Sequence, residues 1–125
     1  MTAGGTIPSF TAQIFLPWGF PTSGSVDLDF AIPDVQDNDN LVAETITVDW
    51  DVTAAEFKTT LAGHSAVYDA DWLEVLDGPW PYNAIYLRFL GDLRRKTISL
   101  PVIDVTGLGG GLFPQVQATR FWVSE

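Results

Sequence analysis

One histidine, no cysteine and sixteen carboxylates are the raw material for chemistry in these 125 residues. A general base needs a positioned partner and a nucleophile beside it. His64 stands between Gly63 and Ser65 at the end of a predicted helix, where a cation complements the helix dipole, so a capping or exposed role is expected of it. No Gly-x-Ser-x-Gly elbow occurs. The lack of cysteine excludes disulfides, zinc–thiolate sites and thiol nucleophiles. Paired carboxylates are glycosidase material, but among sixteen acidic residues such pairs arise by chance and carry no signal. The glycine run of residues 107–111 lacks the helix that must follow a dinucleotide or phosphate loop, and it lacks the lysine of the latter. Leu112-Phe113-Pro114 follows instead and leads into a predicted strand, so the run is read as a connector. The expectation is a non-enzymatic chain without a cofactor.

Binding offers more candidates. Asp34, Asp37 and Asp39, with Asn38 and Asn40, make an oxygen-rich turn of the kind hard cations use, without the spacing of an EF-hand. A solvated turn is expected there, with Asp34, Asp37 and Asp39 as weak candidates for a cation. Arg94-Arg95-Lys96 holds three of the six positive charges and can meet an acidic partner or sit solvated at a hairpin tip. Trp18, Phe20 and Trp80 lie in proline-bounded loops. Aromatics there serve either as interface anchors or as caps on the open ends of a sheet. Trp50, Trp72 and Trp122, in predicted strands, read as core.

The net charge of −10 is lopsided: no lysine or arginine precedes Lys58, whereas nine acidic residues do. Such a surface repels phosphate backbones and anionic lipid, which argues against nucleic acid and membrane as partners. A hydrophobic content of 46% with 13% aromatic residues is that of a folded domain. The apolar stretch Ile14 to Phe20 is too short to span a bilayer. Residues 1–25 have no basic start, and Pro8, Pro17 and Pro21 interrupt them, so no targeting segment is read.

The elements that must position these residues are mostly strands. Val26 to Phe30 and Val42 to Trp50 alternate with period two, with Glu44 the one misfit on the apolar face of the second. Thr53-Ala54-Ala55-Glu56 is a capping box, and Ala54, Phe57 and Leu61 share a face, predicting a helix over residues 53–63 that stops at Gly63. Strands are predicted at Trp72–Leu76, around Ile85–Phe89, at Thr97–Val105 with Pro101 marking an edge or bulge, and at Val116–Val123. Phe10 to Leu16 can make a first short strand inside a Gly-, Pro-, Thr- and Ser-rich segment. The expected fold is α+β and mostly β: an antiparallel or mixed sheet of about six to seven short strands with one helix packed on it. Residues 1–24 are expected to form an extended N-terminal arm, and residues 25–125 a single domain.

Several of these motifs recur in a known order. They are Val52-Thr53-Ala54-Ala55-Glu56-Phe57, then Leu73-Glu74-Val75-Leu76-Asp77-Gly78-Pro79, then Ile85-Tyr86-Leu87-Arg88-Phe89-Leu90-Gly91-Asp92-Leu93. Ile98-Ser99-Leu100-Pro101 and Thr106-Gly107-Leu108-Gly109-Gly110 follow. The stretch from about Thr45 to Gly111 resembles a small domain that recurs in tailed-phage virion proteins and in large secreted bacterial proteins. It departs from that pattern at Ser65 to Asp71, where a glycine-rich loop is usual, and at Arg94-Arg95-Lys96, where small residues are usual. The resemblance implies no catalytic residues. It implies a structural module that packs beside copies of itself or decorates a larger assembly, and a chain this short beginning at Met1 fits a virion component.

The expected function is therefore that of a phage-type virion structural protein: capsid decoration, head–tail joining or tail component. It would act through protein–protein assembly as a homo-oligomer, with Trp18, Phe20, Trp80, Arg94, Arg95 and Lys96 meeting its partners. The alternative is a secreted or cell-surface module that binds carbohydrate or calcium.

Overall fold

The structure, a computed structural model, describes residues 9–94 and 96–124, and the side chains of 12–94 and 96–120. Among these residues eight strands form: β1 (Ser9–Trp18), β2 (Ser23–Asp34), β3 (Asn40–Asp49), β4 (Leu73–Asp77), β5 (Ile85–Phe89), β6 (Val102–Asp104), β7 (Leu108–Gly109) and β8 (Gln115–Ser124). One α-helix, α1 (Ala54–Leu61), follows β3. The fold is α+β and mostly β. The expected single sheet is instead two antiparallel sheets of four strands. One runs β4-β5-β1-β8; the other runs β3-β2-β6, with β7 pairing the start of β2. Each alternating strand has one apolar face, and two sheets laid face to face bury both sets at once.

The inner faces are those the alternation predicts. Val26, Leu28, Phe30 and Ile32 of β2, Ile46 and Val48 of β3, and Ile85, Leu87 and Phe89 of β5 are buried in one cluster. Phe15 of β1 joins the layers: its ring lies 6.2 Å edge-on to Phe30 and 5.5 Å from Phe57 of the helix. Helix α1 packs against β3 and β4, on one flank of the two sheets. Its capping box forms as predicted, with the Glu56 N–H donating to Thr53 Oγ1 and the Thr53 N–H to Glu56 Oε1 at 3.0 Å. The helix stops two residues before Gly63, where the chain tightens into i→i+3 bonds from Gly63 to Thr60 and from His64 to Leu61.

The expected N-terminal arm is corrected from residue 9 onward. Residues 1–8 lie outside the described residues. Ser9–Trp18 is an interior strand, paired with β5 on one side and along its full length with β8 on the other. The expected boundary at residue 24 falls inside β2. Its physical reason is burial on both faces: Ala12, Gln13 and Phe15 are all inaccessible, which erases the alternation that marks the other strands. The predicted strand over residues 97–105 shrinks to the three residues of β6, next to Pro101.

Candidate interaction surface

The register Pro17↔Val116 and Trp18↔Gln115 sets the loop after β1 against the loop before β8. The two backbones touch glycine to glycine. Leu112 donates its N–H to the Gly19 carbonyl at 2.9 Å. A Cβ on Gly19 (φ +79°) would sit 2.4 Å from the Leu112 oxygen, and one on Gly111 (φ +65°) 1.9 Å from the Gly19 oxygen. With no room between the loops, their large side chains turn outward: Trp18 and Phe20 from one, Leu112 and Phe113 from the other, the last 87% exposed. Phe20 (φ 47°) and Phe113 (φ 51°) both occupy the left-handed region, which costs a bulky residue on the order of 1 kcal/mol or more.

Tyr82, 75% exposed in the β4–β5 connection, completes the cluster. It closes a slot of about 240 Å³ lined by Pro17, Trp18, Gly19, Phe20, Pro81 and Tyr82. Sequence reasoning found Trp18 and Phe20 but missed Tyr82, Leu112 and Phe113. The same signal marks all five, a large apolar residue within two positions of a proline or glycine in a predicted loop.

The six expected contact residues do not converge. Trp80 is a correction: it is 1% exposed, its indole Nε1 donates to the Phe15 carbonyl at 3.3 Å, and its ring stands edge-on to Phe57 at 6.1 Å. A proline on each side keeps Trp80 out of a strand, yet the turn folds inward over the core. The register Ala12↔Arg88 and Phe15↔Ile85 carries the chain beyond β5 to the far end of the sheet from Trp18. Arg94 is exposed there, and Arg95 lies outside the described residues. Lys96 is half-buried and pairs its Nζ with Asp39 Oδ2 at 2.6 Å, tying the basic turn to the acidic one.

The oxygen-rich turn is spoken for by protein donors. Asp34 Oδ1 accepts from the Gln36 N–H at 3.0 Å and the Tyr68 hydroxyl at 2.6 Å, and Asp37 accepts from the Asn40 side chain. The bond to Asp34 pushes the Tyr68 phenol up from its ordinary pKa. Among the described residues no group of three or more His, Cys, Asp or Glu side chains is placed to hold a metal ion.

His64 is not exposed, as its place after the helix suggested; it is 2% accessible. The Ala66 N–H donates to Nδ1 at 3.1 Å, so Nε2 carries the proton and donates to the Phe30 carbonyl at 2.9 Å. Both ring nitrogens are spent on main chain. Glu44, the misfit of β3, also has an explanation. It accepts from the Ser65 N–H at 2.9 Å and from the Ser65 hydroxyl, clamping the post-helix turn to the strand. The Ser65 hydroxyl, then its N–H, hold the Glu44 carboxyl below the usual carboxylate range. Thr106 does the same to Asp104, first through its hydroxyl and then through its N–H.

The aromatic end thus offers a surface for contact. No family model, curated protein or solved structure matches the chain. No helix among the described residues is long and apolar enough to cross a membrane.

Proposed function

We propose that this protein is a non-enzymatic structural module of the kind that builds or decorates a virion, acting by assembly with other protein chains through the aromatic end of its sheets. The observation that carries the reading is the outward display of Trp18, Phe20, Leu112 and Phe113 on two glycine-locked loops, with Tyr82 of the β4–β5 connection beside them. Clustered apolar side chains of this size mark contact surfaces. Aromatic residues held rigidly dominate interface energies. Two of the five are held in left-handed backbone that a solvated loop gains nothing by keeping. Light scattering over a concentration series tests it. A defined oligomer should lose its largest species in Trp18→Ala/Phe20→Ala, and an unchanged distribution would count against this surface.

A second reading is carbohydrate binding, favoured by the slot between Trp18, Phe20 and Tyr82, whose ring faces suit a sugar. Tryptophan fluorescence titrated with neutral oligosaccharides separates the two. A saturable shift lost in Trp18→Ala would favour the slot.

A further inference from the structure

Among the described residues five strands lie at sheet margins, and four are guarded, β7 by being only two residues long with Gly109 as one of them. β3 carries the inward-facing Glu44 and is flanked by α1. β4 has five residues, two of them acidic, and runs into Gly78-Pro79. β6 has three residues next to Pro101. These are the devices by which proteins keep sheet edges from pairing. β8 has only one of them, the single charge of Arg120. It is ten residues long, without proline, glycine or an acidic residue. It pairs with β1 on one side, and among the described residues no strand pairs with the other.

Charge selects what can pair there. β1 and β8, ten residues each, hold a single charged side chain between them, Arg120. The other sheet holds Asp27, Asp29, Asp34, Glu44, Asp49 and Asp104. In a chain of net charge −10, two copies repel wherever carboxylates face one another. The β8 margin is where they approach without doing so. The strand is also self-complementary in antiparallel register. A two-fold axis at Thr119 sets Gln117 opposite Phe121 and Ala118 opposite Arg120, so that no like charges meet.

We infer that β8 is a strand-addition edge whose occupant is β8 of a second copy, giving one sheet of order β4-β5-β1-β8-β8-β1-β5-β4 across a two-fold axis. The inference goes beyond the aromatic-end reading and uses different residues. In such a dimer the antiparallel pairing points the two aromatic ends in opposite directions, so each dimer offers two docking ends.

The test is light scattering of the full chain over a concentration series, with hydrogen exchange at the low and high ends. The variants are Gln117→Lys/Thr119→Lys, Thr45→Lys on exposed β3 as a charge control, and Trp18→Ala/Phe20→Ala. The wild type and Thr45→Lys should rise from 13.7 kDa first to twice that mass, before the larger species that the aromatic ends add. Amides within residues 115–124 should gain protection as they do. Gln117→Lys/Thr119→Lys should keep the mass of one chain with an unchanged melting temperature, because both positions are exposed. The dimer should survive Trp18→Ala/Phe20→Ala. A wild type that stays monomeric, or a dimer that survives the lysines, overturns the inference. A dimer lost in Trp18→Ala/Phe20→Ala but kept in the lysine variant overturns it too, while leaving the proposed function standing.

Discussion

His64 is the residue a search for catalysis reaches first, and its surroundings give it a different task with a measurable size. Its ring bridges the turn after α1 to the middle of β2 by accepting from the Ala66 N–H and donating to the Phe30 carbonyl. Replacing it with Phe keeps the volume roughly constant and removes both bonds. Each main-chain group left buried without a partner costs about 1–3 kcal/mol, so His64→Phe should lose about 2–6 kcal/mol. His64→Ala should lose more, because a cavity is added. For a domain whose whole stability is on the order of 5–15 kcal/mol, that is a large share. At about 4 °C per kcal/mol for a chain of this length, the melting temperature should fall by roughly 8–24 °C. Thermal and urea unfolding followed by far-ultraviolet circular dichroism measure it, and the urea slope checks that the unfolded reference is unchanged. A His64→Phe variant within about 0.5 kcal/mol of wild type would refute the bridging role. Solution mass at low temperature should not change, since His64 is remote from every proposed contact.

Trp80→Ala should cost about 3–5 kcal/mol by unfolding, as for any fully buried large aromatic, while its folded fraction assembles normally; a loss below about 1 kcal/mol would return Trp80 to the surface. Glu44 has a depressed folded-state pKa, so its clamp on Ser65 contributes above the unfolded value near 4.3 and is lost as pH falls through the folded value. The stability gap between wild type and Glu44→Gln, followed by urea midpoint, should therefore close on acidification below about pH 5; a gap independent of pH would exclude the clamp. Phe20→Gly should relieve the left-handed strain and raise stability by about 0.5–1 kcal/mol while weakening assembly. If it destabilises, the backbone at Phe20 is not held under load.

The parts of the fold legible in the sequence are those with local causes. Thr53 and Glu56 satisfy each other's neighbouring N–H groups within four residues, so the helix start could be read directly. The alternation of Val26, Leu28 and Phe30 needs one buried face and nothing else. What escaped was decided by distant partners. Gln13 is buried because its Nε2 reaches the carbonyls of Ile98 and Ser99, eighty-five and eighty-six residues away. That broke the pattern of β1 and made an interior strand look like an arm. Trp80 looked like a surface residue because prolines flank it, and only the Phe15 carbonyl and the Phe57 ring draw it in. Of the aromatic end, Trp18 and Phe20 were visible by their proline and glycine neighbours. The same neighbours mark Leu112 and Phe113, but that they lie beside Trp18 and Phe20 was not visible, because the β1–β8 register that joins the two loops spans the whole chain.

The uneven charge of the chain acquires a spatial meaning once the two sheets are separated. The acidic residues of the first half ride mainly on β2 and β3, where alternate positions face solvent: Asp27, Asp29 and Asp49 outward, with Thr47 donating to Asp27 at 2.7 Å. The strands that meet the aromatic loops, β1 and β8, come from opposite ends of the sequence and are almost uncharged. The contacts proposed above therefore fall on the sheet that carries less of the negative charge. Net charge far from zero suppresses indiscriminate association, which favours the proposed contacts at the surfaces where the charge is missing. Those are the β8 margin and the loops around Trp18, Phe20 and Phe113. They adjoin at Gln115, which follows the second loop directly and pairs with Trp18 at the start of the first. A partner seated on the aromatic end would reach the open edge as well, so the two proposed contacts share a corner of the fold while remaining separable by mutation.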